Sequence, residues 1–263
     1  STNPDPTKRN VHIWPVSRAG SNNSGSAGIV FDVWLRAYGT VYIEDAFIKP
    51  SKRNNNITVV YTLKNAGTTS RTVSVAGDIA RGGVVEKTIG TATTITLAPG
   101  ETKVATVTSS TWTNPALWFP TSPNLYVLTS RVMQGTTKLD QESRRFGFRE
   151  IWTQGNQFML NGIRLNLTGT SLNHFTNSNN KAALYLSPTA WPATINELFS
   201  FNIRYARLRP YQSHLLDIAD EKGLMLIAET VVIGDENTGS TQGIATTAEK
   251  NTYVANGAIW MGP

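Results

Sequence analysis

Arg145-Phe146-Gly147-Phe148-Arg149 and, after eight intervening residues, Phe158-Met159-Leu160-Asn161-Gly162 bracket the point where this sequence changes its period. The first stretch puts Phe at alternate positions and closes a series of strands. The second is a small hairpin around an Asn-Gly turn, a strong short-range signal. Upstream, residues 41–149 read as strands throughout. Ile57 to Leu63 is β-branched and aromatic and runs into the turn Lys64-Asn65-Ala66-Gly67. Arg71 to Gly77 alternates apolar with polar, as a half-buried strand does. Thr94 to Leu97 ends at Ala98-Pro99-Gly100-Glu101, Lys103 to Thr108 alternates again, and Leu125 to Val132 follows. Short strands at regular spacing predict an antiparallel β-sandwich.

Downstream the elements alternate. Ile163 to Gly169 reads as a strand, and Thr189 to Phe201 has helical spacing, with Pro192 in its first turn and Ile195, Leu198 and Phe199 on one face. Ile203 to Leu208 is a strand. Ser213 to Lys222 is a helix with Leu215, Leu216 and Ile218-Ala219 inward, closed by Gly223. Leu224 to Glu229 is an apolar strand of the kind buried on both faces, and a further helix falls within Thr246 to Asn256. Alternating strand and helix predicts parallel βα units, and the whole reads as a multidomain β plus α/β chain. Residues 151–263 are fewer than half of the roughly 250 a closed eight-stranded barrel needs. The barrel is therefore expected to be incomplete in this chain, or the units form a small open sheet.

Composition excludes several classes. With no cysteine among 263 residues there are no disulfides, thiol nucleophiles or Cys-ligated metals. The longest apolar run, Gly223 to Ala228, is far too short for a membrane span, and Ser1 to Asn10 lacks the basic-then-apolar order of a signal peptide. Abundant Ser, Thr and Asn favour an exported protein, periplasmic or extracellular, over a cytoplasmic one. The net charge of +6 is scattered; its tightest pairs, Lys52-Arg53 and Arg144-Arg145, fall at turn-like positions, so no nucleic-acid partner is expected. An anionic glycan and a merely soluble surface both remain as reasons for it.

The junction carries a resemblance. Asn114-Pro115-Ala116-Leu117-Trp118-Phe119-Pro120 with Pro123-Asn124-Leu125-Tyr126 resembles the "NPxLWSPexPxLYxL" stretch of family-2 glycoside hydrolases. Arg145 to Arg149 matches that family's "RFGFR", and Phe158 to Gly162, with Gly169 beyond, its "FxLNGxPxxLRG". Gly28 to Leu35 resembles "GIxrDVWL", Asn202 to Arg207 "FNaVRtsHYP", and Asp217 to Glu229 "DlcDelGilVideE". In this order, over residues 28–229, these soft patterns become specific. The resemblance implies the tail of a jelly-roll sugar-binding domain over 1–40, an immunoglobulin-like β-sandwich over 41–150, and the first part of a (β/α)₈ TIM barrel over 151–263. It implies retaining, exo-acting hydrolysis of a terminal β-linked sugar, β-galactosidase-like, on an oligo- or polysaccharide. No cofactor and no membrane are implied.

Such hydrolysis needs two carboxyl groups, about 5 Å apart. In the family these glutamates follow the fourth and seventh barrel strands, so both are expected outside this chain and its catalytic residues stay unknown. Substrate-binding candidates follow the resemblance: Arg207 on the second barrel strand, Glu229 at the end of the third, and Asn173 and His174 after the first, with one residue of extra spacing. Arg209 and Tyr211 stand where the family continues "SHYP"; Pro210 replaces its histidine, and Arg209 there could meet an anionic sugar. Glu229 reads either as pocket lining or as the partner of a buried Arg207. The apolar Thr230-Val231-Val232-Ile233 argues against the family's Mg²⁺ site. Trp34, Trp112, Trp118 and Trp152 read as packing residues, with a sugar platform as the alternative. Two other readings stay open: a non-catalytic binding or scaffold module, or half of a split enzyme completed by a second chain or oligomer. A small complete enzyme using Glu229 and Glu236 is a third.

Overall fold

A computed structural model describes residues 37–91, 94–172, 189–208 and 213–228. The chain divides at Tyr38/Gly39, and its second unit begins at Gly39. Its first part is two antiparallel sheets face to face. One contains β1 (Val41–Ser51), β2 (Asn56–Asn65) and β6 (Thr102–Thr108), in the order β1-β2-β6. The other runs β10 (Thr137–Gly147), β9 (Leu125–Gln134), β3 (Arg71–Arg81), β4 (Val84–Gly90), with β5 (Ile95–Leu97) also paired to β3. Two-residue strands β7 (Trp118–Phe119) and β8 (Ser122–Pro123) form a separate ribbon.

Alternation builds the core. On β2, Ile57, Val59, Tyr61 and Leu63 are fully buried, while Thr58, Thr62 and Lys64 face out. Val73, Val75 and Ile79 of β3 and Tyr126, Leu128 and Val132 of β9 meet them from the other sheet. Each large aliphatic side chain removed from water in this way contributes about 1.5–3 kcal/mol. Within this interior the Tyr61 and Ser130 hydroxyls satisfy each other, 2.9 Å apart. Burial raises the Tyr61 phenol above its usual range. The open edges of β1 and β10 are bridged by side chains. Asp140 accepts from the Ile43 amide at the β1 bulge, 2.8 Å, and Arg144 donates to the Ala46 carbonyl and pairs with Asp45.

Lys52-Arg53 lies in a turn as expected, but Arg144-Arg145 lies within β10. Consecutive strand residues face opposite ways, so Arg144 reaches β1 while Arg145 reaches away from it, as described below.

After Gly147 the chain makes a three-stranded meander, β11 (Ile151–Gln154), β12 (Gln157–Leu160) and β13 (Ile163–Leu165). Asn161 at φ 53° and Gly162 at φ 91° form its second turn, both in the left-handed region that makes Asn-Gly the preferred pair there. The strand expected over Ile163 to Gly169 is in fact two. β13 ends at Leu165, opposite Phe158 near the start of its short antiparallel partner β12, and β14 (Gly169–Ser171) opens a different sheet.

That second sheet is parallel: β14, β15 (Tyr205–Leu208) and β16 (Met225–Ala228), with α1 (Trp191–Ser200) and α2 (Ser213–Lys222) between them in sequence. Trp191 and Ile195 of α1, Leu215 and Ala219 of α2, and Leu172, Ala206 and Leu224 form its core. The Trp191 indole N–H donates to the Leu215 carbonyl, 3.1 Å, tying the helices together. Leu216, expected inward, is exposed, because one residue turns the helix by about 100° away from the Leu215–Ala219 stripe. Ile227 is also exposed. Among the described residues only one face of β16 is covered, against the expectation of burial on both.

Candidate functional site

Parallel pairing fixes which side chains share a face. Ser171, Arg207 and Ile227 are register partners, as are Thr170, Ala206 and Leu226. Ala206 is fully buried in the helix-facing core. Arg207, its neighbour, therefore points to the opposite face, which no described helix covers, with Tyr205 and Ile227 beside it. Arg207 is exposed rather than buried as expected, since the face it occupies is the uncovered one. Tyr205, which the sequence reading passed over, packs its ring against Gly169 so closely that a Cβ there would clash with it. Partial burial raises its phenol above the usual range. Period 2 counted back from Arg207 was the signal that could have found it.

The other candidates, Asn173, His174, Arg209, Tyr211 and Glu229, lie outside the described residues, as do Trp34, Thr230 to Ile233, Glu236 and the helix expected within Thr246 to Asn256. In sequence each of the five follows the C-terminal end of a parallel strand by no more than three residues: Ser171, Leu208 or Ala228. C-terminal strand ends are where parallel βα sheets place their chemistry. Among the described residues no three His, Asp or Glu side chains converge on a metal-sized site, and no described helix is long and apolar enough to cross a membrane.

A groove among the described residues lies elsewhere. It has a volume of about 460 Å³ and is lined by Asn156, Phe158, Arg164, Leu165 and Leu167, among others. It reaches Thr168, just before β14 begins, so it sits at the N-terminal end of that strand. Bond-breaking residues of parallel βα folds do not collect at that end.

The motif residues at the junction turn out to hold the two parts together. Trp118, 1 % exposed, donates its indole N–H to the Asp220 carbonyl on α2, 2.9 Å. The Arg149 guanidinium lies 4.5 Å over the same ring and pairs with the Asp220 carboxylate at 2.8 Å. Arg145 donates to the Asp217 carbonyl and pairs with Asp217 and Glu221. Gly147 lies so close to Trp118 that a Cβ there would fall 2.7 Å from the ring. Gly223, at φ +88°, ends α2 against the Pro120 carbonyl, with no room for a Cβ between them. From the sandwich side, Tyr126 pins this segment: its hydroxyl accepts from the Ala116 amide and donates to Glu86. Asn161 closes the meander onto it, bonding the Trp118 carbonyl and the Glu150 amide.

Glu150 faces the turn after β1. It accepts from the Arg53 amide and side chain at 2.9 and 2.7 Å, and Arg53 lies over Trp152. Burial pushes its carboxyl up, but the Arg53 hydrogen bonds and charge outweigh this and hold it below the usual carboxylate range. Trp112 packs edge-on against Tyr126 and Phe148. Trp112 and Trp118 are buried, so neither offers a platform for a sugar ring.

An antiparallel sandwich gripping a parallel βα sheet is the class of molecule this geometry defines. Residues 41–149 match the family model described as "Glycosyl hydrolases family 2". Over these residues the chain is similar to that family of glycoside hydrolases.

Its likenesses agree. A β-galactosidase of Leuconostoc mesenteroides is 27% identical over 118 residues, 44% of this chain and 11% of its own length. A Formosa agariphila protein described as a candidate β-glucuronidase is 39% identical over 56 residues, 21% of this chain and 5% of its own. The crystal structure of a Bacteroides uniformis β-glucuronidase superposes with TM-score 0.64 at 22% identity, over 80% of this chain and 27% of that one. A β-galacturonidase of Eisenbergiella tayi bound to galacturonate gives 0.59 at 23%, over 73% and 34%. The structural likeness is one of fold, and this chain spans about a quarter to a third of those two structures.

Proposed function

We propose that this chain is the scaffold and opening part of the catalytic domain of a retaining β-glycosidase that removes a terminal sugar from an oligo- or polysaccharide. In this reading residues 1–40 end a sugar-binding jelly roll, 41–150 are an immunoglobulin-like sandwich, and 151–263 begin a (β/α)₈ barrel. The observation that supports it best is Arg207: a cation on the open face of a parallel sheet, near the strands' C-terminal ends, beside a family-2 sandwich. There it would hold carboxylates in the ionised form that a glycosidase nucleophile requires. Glu229, Asn173 and His174 would contact the sugar. Arg209 and Tyr211 would favour an anionic one, which the uronide-cleaving names among the relatives also support, alongside a β-galactoside. An exported location suits such a substrate.

The test is turnover by the native polypeptide that carries this sequence, on nitrophenyl β-galactoside, β-glucuronide, β-galacturonide and β-mannoside. Hydrolysis of one of them, with the first-formed sugar in the β configuration by NMR, is the expected result. Failure on the whole panel, or inversion, would overturn the proposal.

A further inference from the structure

The three polar side chains that the sandwich and its junction turn toward α2 all act on that one helix, immediately before the strand β16. Trp118 and Arg149 both engage Asp220, one through its carbonyl and one through its carboxylate. Arg145 holds Asp217 and Glu221 on the same helix. Pro120 stops the helix at Gly223, after which Leu224 is buried and the Met225 amide donates to the Arg204 carbonyl as β16 starts.

Only Gly223 and Leu224, both buried, separate the gripped helix from the strand, so whatever fixes α2 restrains how far β16 reaches along the sheet. β16 ends at Ala228, and the next residue is Glu229. We propose that Trp118 and Arg149 are positioning residues: through Asp220 they let the sandwich set the register of β16, and with it the C-terminal edge of the parallel sheet. Neither need touch a substrate. The value of this coupling for catalysis rests on the glycosidase reading; the mechanical coupling itself does not, and it is tested without activity.

The measurement is native-state hydrogen exchange of the full chain, followed by peptide. Asp220→Asn removes the Arg149 ion pair and leaves the carbonyl that Trp118 uses. Trp118→Phe removes the indole donor and leaves the pair. Each is expected to speed exchange over residues 213–228 about tenfold, the loss of one charge-assisted or buried hydrogen bond, with β2 and β9 unchanged. Unchanged exchange over 213–228 would overturn the proposal. So would equal loosening of β2 and β9, which would make these residues ordinary core. If Trp118→Phe fails to fold, Asp220→Asn, at a partly exposed side chain, still decides.

Discussion

The sandwich and the parallel sheet bury their side chains in different ways. Strands β1 to β3 are ten or eleven residues long, and their inner faces meet a second sheet across a continuous core. Strands β14 to β16 have three or four residues, and helices cover one face. The sandwich can therefore hold itself together, whereas the parallel sheet depends on what is packed around it, the sandwich included. Function follows the same division: the self-sufficient part scaffolds, and the part with an open face carries the candidate site.

The largest test of this contrast is a pair of cavities. Leu128→Ala in the sandwich and Ile195→Ala in α1 each empty a fully buried site, and each is expected to cost about 2–5 kcal/mol. The distribution should differ. Leu128→Ala should lower the denaturation midpoint of the whole unit, because the parallel sheet loses its support. Ile195→Ala should raise exchange over residues 189–228 and leave β2 and β9 protected. Equal loss of protection in both regions from Ile195→Ala would show one cooperative block and end the contrast.

A smaller effect is expected at the seam between the sandwich and the meander. Glu150 is held below the ordinary carboxylate range in the folded chain. A depressed carboxyl contributes stability above its unfolded value of about 4.3, and that contribution is lost as pH falls through the folded value. Glu150→Gln should therefore cost about 1–2 kcal/mol at pH 7, and the gap between variant and parent should close as the pH drops below about 4. Urea denaturation at several pH values checks it; a gap independent of pH would mean that Glu150 acts by shape and not by charge.

Much of this was legible. Period 2 in Arg71 to Gly77 and the Gly223 stop after Ser213 to Lys222 are local signals, and the elements lie where those signals put them. β1 and β4 were not singled out. β1 carries a bulge between Ile43 and Asp45 that breaks its alternation, and β4 is an edge strand whose side chains are mostly exposed, so it shows little pattern. The division of Ile163 to Gly169 into two strands was hidden because pairing partners, not local propensity, decide where a strand ends. For the site, Arg207 came from resemblance. Its open face came from register, which needs the neighbouring strands and cannot be read from one segment.

The smallest structural effect should accompany the largest functional one. Arg207 is exposed and its neighbour Ala206 supplies the packing, so Arg207→Ala should change stability by no more than about 0.5 kcal/mol. If the face it occupies is the catalytic one, the same substitution in the native polypeptide should lower kcat/KM by about 100-fold or more, the scale on which a lost electrostatic stabiliser acts. A stable variant with full turnover would remove Arg207 from the site. A variant that loses both stability and turnover would make it a structural cation, and the open face of the parallel sheet would then be scaffold like the sandwich.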